Sequence, residues 1–239
     1  MPVFDLIAFD ADDTLWHTER LYREVQAWFV QLLGKYHDAE WIHERFHQIE
    51  MGNIQYFGIG IKAFVLSLIE AAVELSEGQI SAGEIQEIID WGRKMSSSEV
   101  ELLPDSAEVL SKLSQEYRLM IVTKGDLLDQ ETKISRSGLG QYFQYIEIVS
   151  QKTPESYGKL LKRYAVEPSR YMMIGNSLRS DILPVLELGG SAVYIPYETT
   201  WLHEVAEEPH PEQAGYYQLE HLGQLPLLLE RIEKSGNNM

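Results

Sequence analysis

A chain of 239 residues with 44% hydrophobic side chains is long enough to bury a sizeable core and too apolar for a disordered segment, yet none of its apolar runs approaches the roughly 20 residues that a membrane helix requires. The 37 acidic residues against 20 basic ones give a net charge of −17, which argues against a nucleic-acid backbone as partner, because neutralising phosphates takes clustered Lys and Arg. With no cysteine in the chain, disulfides, thiolate zinc sites and cysteine nucleophiles are excluded.

Val3-Phe4-Asp5-Leu6-Ile7-Ala8-Phe9 reads as a buried strand. Asp5 inside it and the lack of a preceding basic residue set it apart from a signal peptide, so the expected location is the cytoplasm. From Thr18 to Ser98 the apolar spacing turns helical, as in Leu21, Val25, Trp28, Phe29 and Leu32 and again in Ile61, Phe64, Val65, Leu68, Ile69 and Ala72. Pro104-Asp105-Ser106 opens a further helix.

An alternating series follows, with strands expected over 118–122, 145–149, 171–174 and 192–195 and helices over 127–137, 155–164 and 178–188. A short strand over 216–219 and a closing helix over 222–232 complete the chain. Alternation of this kind predicts an α/β fold, a Rossmann-like parallel sheet with helices on both faces. One strand precedes the helical block and the others follow it. The expected division is therefore a core of residues 1–15 and 100–239 with an inserted helical domain over 16–99.

Ligands of open parallel sheets sit at the carboxyl ends of the strands. Asp10-Ala11-Asp12-Asp13-Thr14 falls at that edge of the first strand. Crowded carboxylates repel one another, so a cation is a natural reason for them to coexist, and hard oxygen ligands favour magnesium. A calcium loop of the EF-hand type would need Gly at position 15 and Glu at position 21, where Leu15 and Leu21 stand. A solvated acidic turn that caps a helix and a nucleophile with an acid/base partner two residues on both remain open at this point.

Asp-x-Asp-x-Thr after a buried first strand resembles the first motif of the haloacid dehalogenase superfamily. Thr123, Lys152 and the run Gly175-Asn176-Ser177-Leu178-Arg179-Ser180-Asp181 each follow a predicted strand and resemble motifs two, three and four. Taken singly, Thr123 or Asn176 could be a helix cap and Lys152 a solvated surface group. The order and the shared sheet edge are what carry the resemblance, and the helical block occupies the place of a type-one cap.

The resemblance implies a phosphatase of small phosphorylated metabolites. Asp10 would be the nucleophile, Asp12 the general acid and base, Thr123 a phosphoryl ligand and Lys152 a charge partner. Mg2+ would be held by Asp10, the Asp12 main-chain carbonyl and motif four through Asn176 and Asp181. Many family members carry Asp where Asn176 stands, so Asp181 is the expected acidic ligand. Asp at position 12 favours phosphatase or phosphomutase over dehalogenase. The cap is expected to select the leaving group, and sugar phosphates, phosphoglycolate and nucleotides all stay open.

Other readings compete. His43-Glu44-Arg45-Phe46-His47 is a literal zinc-protease motif, for which Glu70 could loosely serve as third ligand. Gly58-Ile59-Gly60 mimics a dinucleotide fingerprint but lacks the preceding strand. A phosphomutase, or a non-catalytic binding protein on the same fold, would share the core motifs. Trp16 could line the pocket or pack the linker.

Overall fold

Strand β1 (Leu6–Phe9) is wholly buried, and its side chains alternate between two cores. Ile7 and Phe9 join one with Leu110, Leu225 and Leu229, whereas Leu6 and Ala8 join the other with Tyr157, Leu160 and Val185. The same split runs through β2 (Leu119–Lys124) and β4 (Tyr171–Gly175). A strand covered on both faces has no polar side, which is why these segments read as continuous apolar runs. The computed structural model describes residues 2–236.

The sheet has six strands in the order β3-β2-β1-β4-β5-β6, with β3 at Tyr145–Val149, β5 at Ser191–Tyr194 and β6 at Tyr216–Gln218. β1 pairs in parallel with β2 and β4, β4 with β5, and β5 with β6. This is the expected Rossmann-like α/β core. The change of direction in strand order falls at β1, so the carboxyl ends of β1, β2 and β4 face one edge. Helices α5 (Ser106–Leu113), α7 (Pro154–Tyr164), α8 (Leu183–Glu187) and α9 (Leu225–Gly236), with α6 (Leu127–Ser137) from Lys133 onward, complete this part of the chain.

The chain forms two compact units, residues 1–19, 100–123 and 133–239 in one and residues 20–99 and 124–132 in the other. The second holds four long helices, α1 (Glu19–Leu33), α2 (Ala39–Phe57), α3 (Ile61–Leu75) and α4 (Ala82–Ser97). Its core gathers Val25, Phe29, Ile42, Phe46, Phe64, Leu68 and Ile88. Asp38 caps α2, and Ser81 with Glu84 forms a capping box on α4. Gly92 allows close helix packing, because a Cβ there would lie 2.5 Å from Val65 Cγ2. Among the described residues, no helix is long and apolar enough to cross a membrane.

One expected helix is altered. The segment over 178–188 opens as a π-helical turn, Leu178–Ile182, and only then becomes α8. Pro184 near the start of α8 has no N–H to give to the preceding turn, and the Ser180 carbonyl accepts from the Tyr157 hydroxyl at 3.1 Å instead. Asp181 therefore leaves the backbone from a widened turn.

Candidate active site

Asp10 follows β1 directly, and its N–H donates to the Ile174 carbonyl at 2.8 Å, which fixes it beside the end of β4. The pairing of Phe9 with Ile121 and with Ile174 puts Thr123 and Gly175 at the same sheet edge. Lys152 enters from the loop after β3, held by the start of α7, where Thr153 caps the helix and Pro154 occupies its first turn. Asp10 and Thr123 are buried, and Lys152 is only 5% exposed. Lys152 is thus no solvated surface group, and Asp10 is no member of a solvated turn.

The Lys152 ammonium donates to Asp10 Oδ1 and, at 2.7 Å, to Asp181 Oδ1. Asp181 Oδ2 accepts the Ser177 N–H at 3.0 Å. Asp181 lies so close to the end of β4 that a Cβ on Gly175 would stand 2.2 Å from its Oδ2, so this position admits no side chain. Burial pushes the Asp10 carboxyl above the ordinary carboxylate range, with Lys152 opposing the shift and Asp181 adding to it. Burial works against the Lys152 ammonium, but Asp10 and Asp181 outweigh it and hold the lysine protonated.

Thr14 Oγ1 lies 3.3 Å from Asp10 Oδ2 and 3.2 Å from Asn176 Oδ1. One hydroxyl has one hydrogen and cannot satisfy both oxygens at once. Asp10 and Asn176 thus present two oxygen acceptors to one hydroxyl, and oxygens of this kind would suit a hard cation. Among the described residues no three His, Cys, Asp or Glu side chains group into a metal cluster. A cation here would draw on Asn176 and main-chain oxygens besides Asp10. His43 and His47 on α2 find no third ligand among the described residues; Glu70 instead accepts a hydrogen bond from Asn53 at 2.6 Å.

The three acids after β1 are put to different uses. Asp13, at φ 60°, accepts the N–H groups of Thr18 and Glu19 at 2.8 Å and 3.0 Å, which makes it the capping group of the cluster. Burial pushes its carboxyl up to about 6. Asp12 Oδ1 accepts from Trp16 Nε1 at 2.8 Å, from Thr18 Oγ1 at 2.7 Å and from Lys133 Nζ at 2.7 Å. Trp16 is fully buried and packs into the core beneath the sheet edge.

Two neighbours of the site escaped the sequence reading. Lys133 on α6 pairs with Asp12, and Glu204 Oε2 accepts from the hydroxyls of Ser177 and Ser180, the latter at 2.5 Å. Lys133 is one lysine on a charged helix and Glu204 ends a short 3-10 turn, Leu202–Glu204, so neither has a motif spacing to reveal it.

Residues 4–189 match the family model of the haloacid dehalogenase-like hydrolases. The chain is similar over its whole length to a haloacid dehalogenase-like family hydrolase from Xanthomonas campestris, at 34% identity and a TM-score of 0.88, with 100% of both chains covered. It is 25% identical to the N-acylneuraminate-9-phosphatase of Mus musculus over 95% of this chain and 94% of that one. It is 28% identical to the glyceraldehyde 3-phosphate phosphatase of Pyrococcus furiosus, over 57% of this chain and only 56% of that protein.

Proposed function

Because this chain belongs to the haloacid dehalogenase-like hydrolases, we propose that it is a magnesium-dependent phosphatase that hydrolyses a small phosphomonoester through an aspartyl-phosphate on Asp10. The observation that carries this reading is the buried Lys152 bridging Asp10 and Asp181 at the carboxyl edge of the sheet. A buried carboxylate paired with a fixed cation can act as a nucleophile and still tolerate an incoming dianion. The relatives named as phosphatases of N-acylneuraminate 9-phosphate and glyceraldehyde 3-phosphate support phosphoester hydrolysis.

An Asp10 carboxylate oxygen attacks phosphorus and the ester P–O bond breaks. Asp12 gives its proton to the departing alkoxide. In the second step water attacks phosphorus, passes a proton to Asp12, and releases inorganic phosphate and the Asp10 carboxylate. Thr123 holds a phosphoryl oxygen, and Lys152 offsets the charge that the phosphoryl group brings to Asp10. Magnesium, when bound, supplies charge neutralisation between the two anions. Asp10, the Asp12 carbonyl and Asn176 would hold it, with Asp181 as the acidic partner of motif four. A cytoplasmic setting is supported by the cysteine-free composition.

The test is release of inorganic phosphate from a panel of phosphomonoesters, including glyceraldehyde 3-phosphate and N-acylneuraminate 9-phosphate, with and without Mg2+. Wild type is expected to hydrolyse at least one ester and Asp10→Asn none. Hydrolysis that survives Asp10→Asn overturns the reading.

A further inference from the structure

Lys133 is the cation nearest to Asp12 that the motifs do not account for. Its Nζ lies 2.7 Å from Asp12 Oδ1 and 2.9 Å from Oδ2, so it spans both carboxylate oxygens. The Lys133 and Asp12 side chains are 15% and 26% exposed, so the pair is largely withdrawn from water. Exposed ion pairs contribute little, but charge-assisted hydrogen bonds shielded from solvent hold their geometry. The next residue on α6, Ile134, is buried in the core beneath the sheet, which fixes the helix at the point from which Lys133 projects.

Two further donors to Asp12 come from its own loop. Trp16 Nε1 and Thr18 Oγ1 both approach Oδ1. They tie that oxygen to the segment that carries it and leave the plane of the carboxylate to be set from outside. Lys133 is 121 residues away in sequence and does so by contacting both oxygens. A group that must face a leaving oxygen and then a water molecule needs such a fixed plane, since displacements near 1 Å cost on the order of 100-fold in rate.

We infer that Lys133 is a positioning residue of the phosphoryl-transfer reaction, acting on substrate only through the Asp12 carboxylate it orients. The inference rests on the reading in which Asp12 serves as acid and base. In this role Lys133 acts through Asp12 and binds no part of the substrate, so its loss lowers kcat and leaves KM in place.

The experiment is a double-mutant cycle on the ester that the wild type hydrolyses. Lys133→Met is expected to lower kcat by about 10–100-fold with KM within about threefold of wild type. Lys133→Arg, which keeps a two-oxygen pairing, is expected to recover most of the loss. Lys133→Met added to Asp12→Asn is expected to cost less than about twofold more than Asp12→Asn alone. Should Lys133→Met fold poorly by its unfolding midpoint, Lys133→Gln takes its place in the cycle. An unchanged or raised kcat, a KM effect, or losses that multiply in the double variant overturn the inference while leaving the phosphatase reading intact. A wild type inactive on every ester, or an active Asp10→Asn, overturns that reading and the inference with it.

Discussion

Lys152 Nζ stands 2.7 Å from Asp181 Oδ1, and each of these side chains is only 1% exposed. The same ammonium also holds Asp10. Removing it would leave two carboxylates buried without their counter-charge, a far larger loss than that of a surface pair. Lys152→Met is expected to lower the unfolding free energy by about 3–5 kcal/mol in denaturant melts. Its rate of phosphate release is expected to fall by at least about 100-fold. A variant as stable as wild type would show that Lys152 does not balance the buried acids.

Asn176 brings an oxygen but no charge to the point where Thr14 and Asp10 meet. Chelation of the metal is expected to abolish hydrolysis, and added Mg2+ to restore it. Asn176→Asp adds a negative charge beside the proposed cation and is expected to lower the Mg2+ concentration for half-maximal activity by about tenfold. Magnesium binding followed by calorimetry is expected to tighten in parallel. Weaker binding by Asn176→Asp would remove Asn176 from the ligand set.

Gly175 has no room for a methyl group, since a Cβ would lie 2.2 Å from Asp181 Oδ2 and 2.3 Å from its Cγ. Gly175→Ala forces Asp181 off its contacts with Lys152 and Ser177. The expected cost is about 1–3 kcal/mol of stability from overpacking, seen as a lower melting temperature, with a loss of activity. An alanine variant with wild-type stability and rate would show that the motif-four turn yields easily.

Glu84 offers a pH test away from the site. Its hydrogen bond to Lys35, at 2.6 Å, and the Ser81 cap hold its carboxyl at about 2, below the ordinary 4.5. A depressed carboxyl stabilises the fold fully above its unfolded value, and the contribution fades as pH falls through the folded one. Glu84→Gln keeps the cap and removes the charge. The gap in melting temperature between wild type and Glu84→Gln is therefore expected to be constant above about pH 4.5 and to close towards about pH 2. A gap that persists below that range would mean the difference is not due to the charge.

Much of the architecture was legible because burial leaves a plain record. Leu6, Ile7, Ala8 and Phe9 are apolar without alternation because helices cover both faces of their strand. Asp10, Thr123, Lys152 and Asp181 stood out by following strands, and the structure brings Asp10, Lys152 and Asp181 into direct contact. What stayed hidden depends on tertiary contact. Asp13 is one more acid in a cluster until its carboxylate is seen on the Thr18 and Glu19 N–H groups. Lys133 and Glu204 lie far from their partners in sequence. The π turn at Leu178–Ile182 keeps a helical composition, and only the backbone shows that it is wider. His43 and His47 show the converse, a spacing to which no third ligand among the described residues gives meaning.

The central place of β1 has a consequence for how the chain is made. Its neighbours are β2 and β4, so Ile7 finds its partners at Leu119 and Met172. On a ribosome adding about 5–20 residues per second, the strand that ends at Asp10 emerges seconds before either partner exists. Through that interval it is an apolar ribbon with two open edges, the kind of segment that chaperones shield and that stray strands join. The helical segment synthesised next is built from contacts closer in sequence and is free to fold during the wait. The strand that leads into the site is therefore the first part of the sheet to be synthesised and the one that waits longest for its partners.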